Sequence, residues 1–267
     1  MKENQMKKPW AVILGASSGF GGAAAIAFAK DGYNLCGVHL DRRATLSEAE
    51  KVIAEIEATG AKAFFYNVNA VDDQKRREVI AALEAELKQR GEKVKVLLHS
   101  LAFGALKPLF AETAAESLSQ KQIEMTLDVM ANSLVYWTQE LYWAGLFANP
   151  ARIYAMTSAG SHLQWSAYGA VSAAKAALES YCRQITYELA GKGLNANAIM
   201  AGVTDTPALR KIPGNDEMIA QAQARNPSRR LTTPEDVATA LVNLSKTGSH
   251  WIAGNVLRVD GGEDIAG

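Results

Sequence analysis

Trp10-Ala-Val-Ile-Leu14-Gly15-Ala-Ser-Ser-Gly19-Phe-Gly21-Gly-Ala-Ala-Ala-Ile-Ala-Phe-Ala-Lys30 is the stretch that decides the fold. Its five leading apolar residues read as a buried strand, and the alanine-rich run from Gly21 to Lys30 reads as a helix. Gly15, Gly19 and Gly21 lie between the two. Glycine permits a tight turn and a close backbone approach, and the N-terminus of the helix offers N–H groups to a pyrophosphate. Glycine clusters at strand-to-helix turns also serve packing, so position adds the argument: this is the first strand-turn-helix unit of the chain.

The same alternation continues outward from that unit. Strands are expected at Asn34 to Leu40, Ala63 to Tyr66, Val94 to Leu98, Arg152 to Met156, Asn195 to Ile199 and Asn255 to Val259. Between them, helical spacing runs over Thr45 to Ala58, Asp72 to Arg90, a helix ending near Phe147, about Ser166 to Ala190, and Pro234 to Ser245. Short strands linked by helices imply an α/β fold with a doubly wound parallel sheet of roughly seven strands, whose ligands bind at the strand C-terminal ends. The 267 residues, 48% hydrophobic and 21% charged, fit one domain with a filled core over 1–267. Residues 202–230 break the rhythm with Pro207, Pro213, Gly214 and Pro227, a short helical stretch at Asp216 to Ala224, and basic residues at 225, 229 and 230. A long insertion at the C-terminal end of a strand reads as a substrate lid, with a surface loop the plainer alternative.

Charge and cysteine usage limit the partners. The 28 basic and 28 acidic residues balance and are scattered, which argues against nucleic acid. Cys36 and Cys182 lack metal spacing, so neither a disulfide nor a metal is expected, and a reducing cytoplasm fits. The N-terminal stretch from Met1 to Pro9 is polar and basic, and no run is long and apolar enough for a membrane span.

At the end of the second expected strand stands Val38-His39-Leu40-Asp41-Arg42-Arg43. An acid there accepts the ribose hydroxyls of a dinucleotide and repels a 2′-phosphate, whereas arginine pairs with that phosphate. By spacing from Gly15 the acidic position falls on His39, followed by Asp41 and then Arg42 and Arg43. The reading favours NADPH, with NADH possible, and both arginines can also be read as solvated residues opening a helix.

Tyr168 and Lys175 stand seven residues apart in a segment expected to be helical. Seven residues return nearly to the same face, and a phenol beside an ammonium forms a proton-donating pair whose phenol pKa is expected to fall. Alone, such a pair is more often packing and snorkelling. Its company changes that reading.

With the glycine turn, Tyr168 and Lys175, Asn197-Ala-Ile-Met-Ala-Gly202-Val-Thr-Asp-Thr206 and Val259-Asp260-Gly261-Gly262, the chain resembles the short-chain dehydrogenase/reductase family over nearly its whole length. Most members separate tyrosine and lysine by three residues. The six-residue gap here, with His99-Ser100-Leu101-Ala102, is similar to the enoyl-acyl-carrier-protein reductase branch. Phe103-Gly-Ala-Leu-Lys-Pro108 and Thr204-Asp-Thr-Pro-Ala-Leu209 further resemble its enoyl reductase III type. The resemblance implies a Rossmann-type sheet, with Tyr168, Lys175 and Ser158 as catalytic residues. It also implies a cofactor site built from Gly15, Ser17, Ser18, Gly19, Phe20, Gly21, His39, Arg42, Arg43, Asn67, Val68, Ser100, Leu101, Ala102, Lys175, Gly202, Val203, Thr204 and Thr206. Four departures stand beside it: Leu14 for a threonine, Asn67 for an acid that contacts adenine, Ala201 for a proline, and Met130 where carbonyl-reducing relatives carry an asparagine. Ser158, seventeen residues before Lys175, is shared by carbonyl reducers and by the type III proteins.

The wider spacing has a geometric argument of its own. Carbonyl reduction places the proton donor one bond from the carbon that takes hydride; conjugate reduction of a 2-enoyl thioester places negative charge three bonds away. Moving a tyrosine from four to seven residues before Lys175 shifts its backbone about 4.5 Å along a helix. The expected activity is therefore reduction of 2-enoyl thioesters on acyl carrier protein or coenzyme A in fatty acid synthesis. The alternatives are a ketone or alcohol oxidoreductase, such as a 3-ketoacyl thioester reductase, and a dinucleotide-sensing protein without chemistry. Arg210, Lys211, Arg225, Arg229 and Arg230 are candidates to face an acidic carrier. His99 and His162 are placed near the site without a partner that marks either as a base. The run from Leu134 to Phe147 is apolar on nearly every face, which predicts burial against a second subunit, and the resemblance implies a dimer or tetramer. Trp137, Trp143 and Trp165 are candidates for an acyl pocket, with an interface the favoured alternative for the first two.

Overall fold

The computed structural model describes residues 7–246 and 248–266; most of the polar N-terminal stretch, residues 1–6, lies outside them. Seven strands form one parallel sheet in the order β3-β2-β1-β4-β5-β6-β7. They are β1 (Trp10–Leu14), β2 (Asn34–His39), β3 (Ala63–Asn67), β4 (Val94–His99), β5 (Phe147–Ser158), β6 (Leu194–Ala201) and β7 (Val256–Val259). Strands buried on both faces read as unbroken apolar runs, which is why β1 is legible without alternation; β2 and β6 are buried throughout as well, although Asn34 and His39 bound the first and Asn195 and Asn197 interrupt the second. The chain reverses direction across the sheet between β1 and β4, and that crevice is where doubly wound sheets bind ligands.

The helices are α1 (Gly19–Lys30), α2 (Leu46–Ala58), α3 (Asp73–Arg90), α4 (Gln120–Leu127), α5 (Ser133–Trp143), α6 (Gly169–Leu189), α7 (Asn215–Arg225) and α8 (Pro234–Leu244). One core layer packs Phe28, Val52, Ile56, Val237 and Leu241 on the sheet face carrying Ile13, Leu98 and Tyr154. The other packs Leu83, Leu134, Trp137, Leu141, Ala174 and Leu178 on the face carrying Val12, Leu14, Leu97 and Ile153. Small residues on α1, with Ala24 and Ala25 fully buried, let that helix lie close to its neighbours. Among the described residues no helix is long and apolar enough to cross a membrane.

Three expectations change. The helix expected to end near Phe147 is two helices joined by a π-turn at Asp128–Asn132, and Phe147 opens β5, which is 12 residues long. Pro150 hides the start of that strand, because proline within a run reads as a break. The helix expected from Ser166 begins at Gly169, since Ala167 adopts φ 59°, outside helical space. Finally, Trp137 is not an interface residue. It is 0% exposed, and its indole N–H donates to the Ala70 carbonyl at 2.9 Å. A helix that is apolar all round does not announce which face meets the sheet, and here Leu134, Trp137 and Leu141 meet it while Trp143 stays 70% exposed.

Replacing Trp137 by Phe should therefore lower the unfolding free energy by about 2 kcal/mol, through the orphaned carbonyl and the space left by the smaller ring. Urea denaturation checks it; a neutral effect would return Trp137 to the surface.

Candidate active site

β1, β4, β5 and β6 end side by side, and their last residues build one site. Ser158 closes β5 and pairs in register with Ala201 at the end of β6, while His99 closes β4 opposite Ala155. A cavity of about 880 Å³ opens above them. Tyr168, Lys175 and Ser158 line it together, as do Phe20, Ser100, Leu101, Ala102, Gly202, Val203, Thr204 and Thr206. The structure thus gathers the expected catalytic residues and half of the expected cofactor residues around one space.

Lys175 lies within α6, 5% exposed, and its Nζ donates to the Met156 carbonyl at 2.6 Å. Burial brings its pKa down to about 8, opposed in part by the carboxylate of Glu179 one turn on. Glu179 is itself fixed, since it accepts from the Thr157 hydroxyl at 2.7 Å. Tyr168 is not inside the helix but at its N-cap, with φ −100° and ψ 0°. Burial raises the pKa of its phenol, and the Ser158 hydroxyl beside it offsets part of the rise. The expected fall through Lys175 is not met: desolvation dominates, the Ser158 hydroxyl is what lowers the value, and the Lys175 ammonium is directed at the Met156 carbonyl. Ser158 Oγ lies near the phenol and is buried without a well-formed hydrogen bond, which leaves a polar atom in the cavity wall for a ligand to satisfy. Met130, in the π-turn, makes the wall opposite apolar.

The other arm of the crevice holds the glycine turn. Gly15 has φ 87°, and a Cβ there would stand 2.4 Å from the Ser100 carbonyl oxygen, so only glycine lets β1 turn against the end of β4. At Gly21 an added Cβ would meet the Gly15 carbonyl oxygen at 2.0 Å. Ser18 is the N-cap of α1, but its hydroxyl does not cap the helix and no acid stands in the first turn. Ser17 precedes that cap, and Gly19 and Phe20 open α1, with Phe20 lining the cavity; a glycine turn at an uncapped helix N-terminus fits an anionic bridge such as a pyrophosphate.

At the end of β2 the arrangement differs from the expectation. His39 is buried and its Nδ1 lies 2.8 Å from the Asp41 carboxylate. Burial pushes that carboxyl up, but hydrogen bonds from Thr45, Ser17 and His39 outweigh it and hold its pKa below the usual value. Asp41, which the sequence placed only two residues beyond the expected position, therefore turns toward the glycine turn. Asn67 accepts from the Asp41 N–H and donates to the Asp41 carbonyl, both at 2.9 Å. Its amide is thus engaged with the backbone of Asp41 just beyond the end of β2. Val68 follows it, its N–H donating to the His39 carbonyl at 2.8 Å. Arg42 and Arg43 are exposed, and among the described residues neither forms an ion pair.

Both candidate histidines have partners after all. The Ser133 hydroxyl donates to the Val129 carbonyl at 2.8 Å, so at 2.8 Å it accepts from His99 Nε2, which must carry the proton. Burial first, and the Lys175 charge second, bring the His99 pKa to about 3 and keep it neutral. His162 pairs with Asp264 at 3.1 Å and ties the end of β5 to the C-terminal turn. Buried Glu263 accepts from the Val203 N–H and faces Arg225 of α7 at 3.8 Å, a link across the cavity that the sequence did not signal. Arg210 pairs with Asp205 and Asp216, and Arg230 with Asp236, so much of the expected basic surface is neutralised within the chain. Trp165 lines the cavity and donates to the Pro213 carbonyl at 3.1 Å, anchoring residues 202–230 over it. Burial pushes the Cys182 thiol up to about 12, which makes it inert.

A family model described as "Enoyl-(Acyl carrier protein) reductase" matches residues 15–263. The chain belongs to the short-chain dehydrogenase/reductase family, in its enoyl reductase branch. It is 29% identical over 257 residues to 1-cyclohexenylcarbonyl-CoA reductase of Streptomyces collinus, covering 95% of this chain and 86% of that one. It is 26% identical over 254 residues to 7alpha-hydroxysteroid dehydrogenase of Escherichia coli, covering 94% and 92%. The crystal structure of the NADH enoyl-[acyl-carrier-protein] reductase of Aquifex aeolicus superposes with a TM-score of 0.81 at 25% identity, covering 98% of each chain. Membership in this short-chain dehydrogenase/reductase family makes the protein an oxidoreductase.

Lys175→Met should abolish turnover yet stabilise the fold near neutral pH. The folded pKa of about 8 lies below the ordinary 10.5, so the unfolded chain binds more protons between those values and stability rises with pH across that window. Below it the buried ammonium costs up to about 3 kcal/mol, which the apolar side chain removes. Melting temperatures of both proteins at pH 7 and pH 9.5 check this; a destabilised variant at pH 7 would contradict the burial argument.

Proposed function

We propose that the protein reduces the 2,3 double bond of 2-enoyl thioesters with NADPH. The observation that carries the reading is the position of Tyr168, seven residues before Lys175 and outside the helix, beside an unsatisfied Ser158 hydroxyl and an apolar wall at Met130. The cradle at Gly15 to Gly21 and the strand ends at Ser100 and Gly202 to Thr206 fit a dinucleotide stretched across the crevice. When bound, the cofactor supplies the hydride that the β-carbon accepts as the double bond opens.

The residues of this chain then manage the charge that appears on the thioester oxygen. Tyr168 is neutral at pH 7 and donates a hydrogen bond to the developing enolate, and Ser158 Oγ is placed to add a second. Lys175, cationic below about pH 8, holds the site positive and orients the sugar beside it. A proton from solvent water then adds at the α-carbon and completes the saturated thioester. Leu106, Leu163, Trp165 and Met218 line the same cavity and accept an apolar acyl group while excluding water.

Arg42 and Arg43, exposed and unpaired at the rim of the crevice, support NADPH through a 2′-phosphate. Because Ser158 also suits a carbonyl, 3-ketoacyl thioesters are the second reading. Nicotinamide absorbance with enoyl and ketoacyl thioesters, each with NADPH and NADH, separates the cases. Enoyl turnover alone is expected, falling by about 10²–10⁴-fold in Tyr168→Phe, while Arg42→Ala should lower the preference for NADPH. Turnover of the ketoacyl substrate alone would replace this reading.

A homo-oligomer also belongs to the proposal. Trp143 at the end of α5 and Tyr187 near the end of α6 are 70% and 85% exposed, which favours a covering subunit. Sedimentation of the full chain at micromolar concentration should give a dimer or tetramer that Trp143→Glu weakens; a monomeric parent would count against it.

A further inference from the structure

Two backbone features outside the reacting groups set the ring of Tyr168. Ala167 adopts φ 59°, a left-handed conformation that costs a residue with a Cβ about 1–2 kcal/mol. This turn brings the chain to Tyr168 at φ −100° just before α6 begins. The ring then lies along the backbone of Gly160, in the short turn at Ala159–Ser161 that follows β5. A Cβ at residue 160 would stand 2.5 Å from Tyr168 Cε1, 3.1 Å from Cδ1 and 3.2 Å from Ser158 Oγ.

Gly160 is not among the glycines with positive φ, so the path of the chain does not demand glycine there. The two side chains of the site demand it. Carbon atoms pack at about 3.5–4.0 Å, so a methyl group would push the edge of the ring roughly 1 Å from the backbone and from Ser158. Gly160 and Tyr168 both line the cavity, so the open space into which the ring can retreat is the substrate space.

We propose that Gly160 is a positioning residue: its missing side chain seats the Tyr168 phenol against the turn after β5, beside Ser158. This rests on the reading of Tyr168 as the hydrogen-bond donor of the reaction. A displacement of about 1 Å at a reacting group is worth on the order of 10²-fold in rate.

The test is a double-mutant cycle in the full chain. Gly160→Ala should lower kcat by roughly 10- to 100-fold, with cofactor affinity and the alkaline limb set by Lys175 unchanged. Combined with Tyr168→Phe it should cause no further loss, because its effect passes through the phenol. Full kcat in Gly160→Ala, or losses that multiply in the double variant, would overturn the proposal. A second readout stands apart from any substrate: the ionisation of Tyr168, followed by ultraviolet difference against Tyr168→Phe, should shift in Gly160→Ala. An unshifted titration overturns the seat. Unchanged turnover in Tyr168→Phe defeats the catalytic reading alone and leaves the titration to decide. Should Gly160→Ala fold poorly, adding Tyr168→Ala should restore the melting temperature of Tyr168→Ala itself, and no recovery would overturn the contact.

Discussion

The ammonium of Lys175 lies almost wholly out of water, 2.6 Å from the Met156 carbonyl, and the surrounding architecture is arranged around that cation. Desolvating a charge is costly unless hydrogen bonds and opposite charge compensate it. Three consecutive residues of β5 share the task. Met156 offers its carbonyl, Thr157 holds the Glu179 carboxylate that faces the ammonium, and Ser158 stands beside the phenol. These contacts lock α6 in one register against β5. They also require His99 to be neutral, since a second cation at the end of β4 would face the first, and the proton fixed on His99 Nε2 by Ser133 is consistent with that demand.

The sheet was legible because parallel strands buried on both faces leave unbroken apolar runs, and because Gly15 and Gly21 occupy places where any Cβ collides with a carbonyl. The identity of Tyr168 and Lys175 was legible as well. The conformation of Tyr168 was not. Its flanking residues favour helix locally, yet Ala167 takes a left-handed conformation and the helix starts only at Gly169. Trp137 failed for a related reason: when every face of a helix is apolar, periodicity carries no information about which face meets the sheet.

Partnerships between distant residues lay beyond reach for a different reason. Asn67 sits where an acid is usual, and nothing in its spacing reveals that its amide bonds both backbone groups of Asp41, 26 residues earlier. Arg210, Arg225 and Arg230 count as a basic cluster in sequence, yet each faces a carboxylate of the same chain. A sum of charges treats such residues as free; the fold pairs them. Residues 202–230 are therefore held by internal ion pairs and by the Trp165–Pro213 hydrogen bond, which leaves less free positive charge there for an acidic carrier.

The balance between phenol and lysine bears on the charge that the site can stabilise. Burial moves the two groups apart, raising Tyr168 above its ordinary value and lowering Lys175 to about 8. A phenol that stays protonated near neutral pH donates a hydrogen bond to an oxygen on which negative charge develops, whether that oxygen belongs to a ketone or to a thioester. Met130 adds to this, because an apolar wall strengthens each remaining hydrogen bond in the cavity without offering another polar group to a carbonyl. One neutral donor beside Gly160, one buried cation and an apolar wall together form a site suited to stabilising developing negative charge, which is the demand that the proposed conjugate reduction makes.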